Sequence, residues 1–205
     1  LESLQMKNHS LSEEQREEFL RIALRQGQRL GQMLGELFEL ASLEARESQP
    51  QPEPFALPEL IHDAVEKHRL KAENAGVTLS LSVSPNTPFA YGDIGMTERV
   101  LDNLLDNAIR HTPAKGAIAV TASAEDDKIS VSICDSGPGI ETDHLTHIFD
   151  PFYRGDSTDK SGLHAGLGLA IAKRIMDLQQ GTISAANAAG GSGSIFRFQL
   201  PLHRG

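Results

Sequence analysis

Tryptophan is absent from this 205-residue chain, tyrosine occurs twice and cysteine once. The single Cys134 cannot close an intramolecular disulfide, so no disulfide framework holds the fold, and the composition suits a reducing compartment. Apolar runs are short. None approaches the roughly eighteen residues a membrane-crossing helix needs, so no membrane contact is expected of this segment. The first residues, Leu-Glu-Ser-Leu, lack the basic and apolar regions of a secretion signal and do not begin with Met, so the chain reads as a piece of a longer one. Positive charge is the scarcer sign: 19 Lys and Arg stand against 28 Asp and Glu, a formal net charge of −9. That balance argues against nucleic acid as a partner. What remains is an ordinary globular composition, 39% apolar, long enough for one or two domains with a real core.

Proline is missing from residues 1–47 and then clusters at Pro50, Pro52 and Pro54. Closely spaced prolines cannot continue a helix, which makes 48–54 an extended linker between two regions. In the first region, Ser12 and Gln15 have the capping-box spacing that starts a helix. Behind them Phe19, Ala23, Gln26, Leu30, Met33, Leu37 and Leu40 alternate in steps of four and three, a heptad seam. A lone helix cannot bury such a stripe. A second copy is the favoured partner, packing on its own domain the alternative.

Residues 55–205 mix both periodicities. An amphipathic helix is expected from Leu57 to about Ala75, stopped by Gly76, and another from Met96 to His111. A third should run from Gly166 to about Leu178. Strict alternation marks strands at Val77–Val83, Ile118–Ala122 and Ile129–Ile133, the last two joined by a turn at Asp126-Asp127, and at Ile183–Ala185 and Phe196–Leu200. The sum is an α+β sandwich with helices on one face of a mixed sheet.

Three motifs carry chemistry. On the helix ending at His111, leucines cover one side while Asn103, Asn107 and Arg110 recur at i, i+4 and i+7 on the other. Asparagine is a mediocre helix former, but its amide oxygen can ligate a hard cation such as Mg²⁺. A strand then runs directly into Asp135-Ser136-Gly137-Pro138-Gly139-Ile140, a carboxylate with glycines that let backbone approach a flat ligand. Finally Gly166-Leu167-Gly168-Leu169 opens a helix whose N–H groups and dipole favour an anion. It is not a Walker A loop. Between these motifs, the polar segment from Tyr153 to Ala165 reads as a lid.

In order and spacing, these pieces resemble the C-terminal part of a bacterial two-component sensor histidine kinase. Residues 103–112 resemble its N box, Asp135 to Gly139 its G1 box, Phe149 to Arg154 its F box and Gly166 to Ile171 its G2 box. The resemblance implies a Bergerat-type ATP fold. It implies that Asn107 ligates Mg²⁺, that Asp135 takes the adenine amine, that Arg110 and Arg154 approach phosphates and that His111 lies against the nucleotide. Asn103, Gly137, Gly139, Ile140, Leu167 and Leu169 would complete the ATP pocket, with Gly166 and Gly168 shaping the lid hinge. Residues 1–47 then resemble the end of a dimerisation hairpin with its loop near Lys7-Asn8-His9-Ser10, and 55–205 the catalytic domain. The expected partners are a second copy and a response regulator, in a sensor anchored in the inner membrane with this part in the cytoplasm.

Two features qualify the activity expected. The family's acceptor motif, His-Glu/Asp-x-x-x-Pro, occurs nowhere in the sequence, so no catalytic acceptor histidine is expected within it. His164 and Ala165 stand where relatives carry Gly and a hydroxyl residue, a loss of about 0.5–1.5 kcal/mol per hydrogen bond. That departure motivates the alternative of a degenerate, non-catalytic nucleotide-binding or dimerisation module. Gyrase-like and Hsp90-like ATPases resemble Glu-x-x-x-Asn at the N box; here Asn103 holds the first place and cannot act as a general base, which favours transfer over hydrolysis. Of the rest, Cys134 is expected in the core, His62 and His68 are ascribed no special role, His144 and His147 are taken as surface residues, and residues 190–194 as a flexible hairpin loop.

Overall fold

A computed structural model describes residues 12–45, 49–84, 87–154, 165–189 and 192–203. The expected loop at Lys7–Ser10, lid residues 155–164 with His164, and Gly190-Gly191 lie outside the described residues.

Helix α1, Glu13–Glu44, is about 48 Å long at 1.5 Å per residue. Its start is the anticipated capping box: the Ser12 hydroxyl accepts from the Gln15 amide at 3.3 Å, and the Gln15 side chain accepts from the Ser12 amide at 3.1 Å. Only its last turns are buried, at Leu40 and Leu43. They are held to the sandwich by charge and backbone pairing. Arg99 forks onto Glu39 with contacts of 2.8 and 2.6 Å, and Arg174 donates to the Leu43 carbonyl at 3.1 Å. Most of the predicted seam stays exposed, including Phe19, Leu30 and Leu37.

The proline segment is more ordered than an extended linker. Glu53–Phe55 forms a short strand, β1, antiparallel to β3, Ala90–Gly92, and the Gln51 amide donates to Asp93 at 2.8 Å. Then come α2 (Leu57–Asn74), β2 (Thr78–Val83), α3 (Ile94–His111), β4 (Ala117–Glu125), β5 (Lys128–Asp135), α4 (Gly168–Leu178), β6 (Thr182–Asn187) and β7 (Ser194–Pro201). The main sheet has the order β2-β4-β5-β7-β6. β2 runs parallel to β4 and every other pairing is antiparallel. Its inner face carries Ile118, Val120, Ile129, Val131, Ile133, Phe196 and Phe198, all buried beneath the helices.

Helix α3 crosses that core and positions the site. Asp93 caps its start by accepting from the Met96 amide at 2.9 Å, two residues earlier than the pattern suggested. Leu101, Leu104, Leu105 and Ala108 are fully buried. Truncating one of these leucines to alanine would cost about 2–5 kcal/mol. Thr112 closes the helix by donating its hydroxyl to Ala108 at 2.7 Å, and Pro113 prevents its continuation. Cys134 does not join the core: strand alternation turns it to the open face of the sheet, half-buried, where partial burial and Asp135 push its thiol pKa up.

Candidate nucleotide site

The side of α3 turned toward α2 is charged and paired. Lys67 donates to Asp102 at 2.7 Å and to Glu98 at 3.0 Å, and Lys71 donates to Asp106 at 2.6 Å. His68, buried, lies between the Ala64 carbonyl at 2.9 Å and Asp106 at 3.0 Å. Both ring nitrogens therefore face acceptors, the arrangement of an imidazolium. Burial works against that charge, but Asp106 and the Ala64 carbonyl outweigh it, and the His68 pKa is raised. Burial likewise pushes Asp106 up, yet His68 and Lys71 hold its carboxyl down at about 2. His68 is thus a structural ion-pair residue, where its place on an amphipathic helix had suggested nothing special.

The opposite side of α3 carries the amides. Asn107 is 7% exposed and its Oδ1 accepts from Arg110 at 2.9 Å. Asn103 has a buried Nδ2 with no protein partner. Its Oδ1 lies against Gly168, where an added Cβ would come within 3.2 Å. The first turn of α4 is thereby brought to Asn103 at the middle of α3, and among the described residues no side chain caps its N-terminus. Leu169 is half-buried, whereas Leu167 is 1% exposed and packs into the core, so only its backbone faces the site.

At the C-terminal end of α3, β5 delivers Asp135. The carboxylate is 4% exposed, and its Oδ1 accepts from the Gly137 amide at 2.8 Å and the Ser194 amide at 3.3 Å. Its Oδ2 accepts from the Ser194 hydroxyl. The turn that follows is pressed on the end of α3: a Cβ at Gly137 would lie 2.6 Å from the His111 carbonyl oxygen, and one at Gly193 would overlap the Asp135 carbonyl. Glycine at both places permits the approach. Beyond it, Asn187 brackets Ile140. Its Oδ1 accepts from the Ile140 amide at 2.7 Å and its Nδ2 donates to the Ile140 carbonyl at 2.8 Å, fixing the Gly139-Ile140 end of the loop.

The predicted residues therefore fall into two groups along one helix. Asp135, Gly137 and His111 lie together at the C-terminal end of α3, Asn103 and Gly168 at its middle, and Asn107 with Arg110 between them. Eight residues of α3 separate Asn103 from His111, about 12 Å along the axis, a span suited to a nucleoside with its phosphates. Gly166 accepts from the Phe152 amide at 3.1 Å, which ties together the two ends of segment 153–165. Arg154 is placed differently. It is exposed and lines a cleft of about 320 Å³ facing α1, with Leu30, Met33, Leu37 and Phe152 among its walls.

Residues 92–204 match the model of the histidine kinase-, DNA gyrase B- and HSP90-like ATPases. The chain belongs to that ATPase family. Within the family its likeness is to sensor histidine kinases. The sensor histidine kinase RppB of Synechocystis sp. is 34% identical over 180 residues, covering 87% of this chain and 39% of RppB. Full-length ShkA, solved in complex with AMPPNP, superposes with a TM-score of 0.80 at 28% identity, over 97% of this chain and 41% of ShkA. The histidine kinase ThkA, solved with the response regulator TrrA, gives a TM-score of 0.77 at 25% identity, over 98% of this chain and 55% of ThkA. The chain spans about two fifths to half of the length of these proteins.

Three residues of this ATPase site escaped the sequence. Gly193 and Ser194 lay in a run read as a flexible loop, but they back and hydrogen-bond Asp135. Asn187, 47 residues from Ile140 in sequence, gave no local signal at all. No group of three or more His, Cys, Asp or Glu side chains among the described residues could hold a metal. The His144 and His147 rings pack on Tyr153, at 5.8 and 5.7 Å, and His147 pairs with Asp150 at 2.8 Å. No described helix is long and apolar enough to cross a membrane.

Proposed function

We propose that this chain binds Mg–ATP along α3 and donates the γ-phosphoryl group to a histidine outside these 205 residues, as the catalytic part of a two-component sensor kinase. The observation that carries this reading is the division of α3 into two polar sides. Carboxylates face α2 and are paired with Lys67, His68 and Lys71, while on the other side Asn103 faces a helix N-terminus that no described side chain caps, and the C-terminal end of the helix meets the turn after the buried Asp135.

Asp135 holds the base. Its Oδ1 is occupied by two backbone amides and Oδ2 by Ser194, so one lone pair, on Oδ2, remains to accept from an exocyclic amine. The backbone at Gly137 and Ile140 lies beside it, and His111 sits next to the same turn. The first turn of α4 at Gly168 offers N–H groups to phosphate oxygens, with the Asn103 amide beside it and Arg110 on the same side of α3. Arg154 and Gly166 stand at the two ends of segment 153–165. The hard amide oxygen of Asn107, one turn from Asn103, keeps a second lone pair beside its hydrogen bond from Arg110 and would hold Mg²⁺, which keeps most of its waters and shares the rest with phosphates. When bound, the ion neutralises charge on the phosphates. Asn103 supplies no carboxylate to activate water, which favours an imidazole acceptor.

The exposed seam of α1 supports assembly as a homodimer through a helical hairpin, and the likeness to ThkA supports a response regulator as the onward acceptor. We place the whole sensor at the inner membrane with this part in the cytoplasm. The test is transfer in trans. With labelled ATP the chain alone should gain no acid-labile phosphate, and a separately added hairpin carrying the acceptor histidine should gain it. Stable labelling of the chain itself would refute this reading, as would an unlabelled hairpin in the presence of bound ATP.

A further inference from the structure

The main sheet ends on one side at β2, whose outer edge is paired with no strand among the described residues. Exposed edges invite another chain, and natural proteins usually protect them with charge, proline or a bulge. β2 reads Thr-Leu-Ser-Leu-Ser-Val and has neither charge nor proline. Its alternate residues Leu81 and Val83 point into the gap between sheet and α2 and are half-buried. With Pro88 and Phe89, the latter 54% exposed, they line a groove of about 810 Å³. Glu59 and Asp63, on the first turns of α2, stand on its rim with His62 between them. No Lys or Arg among the described residues pairs with either carboxylate; Asp63 has only His62, at 3.8 Å.

The groove lies away from the nucleotide site. The register sets Asp135 opposite Ile118, near the start of β2, whereas Val83 pairs with Ala122 at the other end. An edge strand flanked by an apolar groove is suited to strand addition, in which backbone hydrogen bonds supply affinity and alternate side chains fill the groove. Two occupants fit the backbone requirement, a second copy of β2 or a strand from another protein. Charge decides between them. A second copy belongs to a chain already at −9, and its β2 carries no cation to meet Glu59 and Asp63. We propose that the β2 edge is a docking site for an extended segment of a partner protein, one in which apolar residues alternate with lysine or arginine.

The probe is a ten-residue synthetic peptide alternating valine and lysine, added to the isotopically labelled chain at physiological salt. The expected result is saturable amide shifts confined to Thr78–Val83 and to Phe89. The double reversal Glu59→Lys and Asp63→Lys should weaken binding at least tenfold, while reversal of the remote Glu13 and Glu14 leaves it unchanged. A peptide N-methylated along one edge should fail, because strand addition needs its amides, and so should one with glutamate in place of lysine. Circular dichroism of the reversed variant establishes that it is folded. Shifts absent from β2, an affinity indifferent to the rim reversal, equal binding of the N-methylated peptide, or self-association through β2 without peptide would each overturn the proposal.

Discussion

The two polar sides of α3 use one helix for different ends. Toward α2, Glu98, Asp102 and Asp106 meet cations, and the result is stability. Toward α4, Asn103 meets a helix N-terminus and Asn107 meets Arg110, and Asn103 Nδ2 has no partner among the described residues. Carboxylates so close to a triphosphate would repel it, whereas amides are neutral and can both donate and accept. The difference lies in charge: the carboxylates are neutralised by cations of α2, whereas the amide side carries no negative charge of its own to oppose an anion.

The contrast can be broken from the ligand side first. Asp135→Asn keeps an oxygen for the Gly137 and Ser194 amides but removes the charge that holds an exocyclic amine. Nucleotide affinity should fall beyond about a hundredfold with an unchanged circular dichroism spectrum, and retained affinity would remove Asp135 from the site. Asn107→Ala should weaken Mg–ATP binding about tenfold and leave binding in the presence of a chelator almost unaltered; an equal loss in both conditions would argue against its ligand role. Ser194→Ala deletes one hydrogen bond to Asp135, and at about 0.5–1.5 kcal/mol it should raise Kd roughly two- to tenfold.

The structural side should leave affinity alone and move stability. The raised His68 pKa means that its contribution is complete below the unfolded histidine value of about 6.5 and is lost as pH rises through the higher folded value. The lowered Asp106 pKa works in the other direction: its contribution is present above about 4 and is lost as pH falls toward about 2. Thermal melts should therefore be most favourable between these limits. His68→Gln should flatten the decline on the alkaline side while Mg–ATP affinity at pH 7 stays within about twofold. An unchanged alkaline slope would show that His68 is not the group responsible.

How legible each side was follows from distance along the chain. The amide spacing on α3 and the glycines at 137, 139, 166 and 168 are local patterns, readable in windows of a few residues. β1 and β3 are three residues long, too short for any alternation to register. Ser194 meets Asp135 across 59 residues and Asn187 meets Ile140 across 47, so only the register of β5, β6 and β7 brings them together. The pairing of His68 with Asp106 likewise depends on how α2 packs on α3, and Cys134 was misplaced because one step of strand alternation separates the two faces. The seam of α1 was legible as a pattern; only its last turns found cover within this chain.

The central claim is that the amide side of α3 is a working nucleotide site. Calorimetric titration of the chain with Mg–ATP, with Asp135→Asn alongside, tests it most directly. The account predicts saturable binding in the micromolar-to-millimolar range that disappears in the variant. A folded chain that takes up no nucleotide, or a variant that binds as well as the parent, would contradict it.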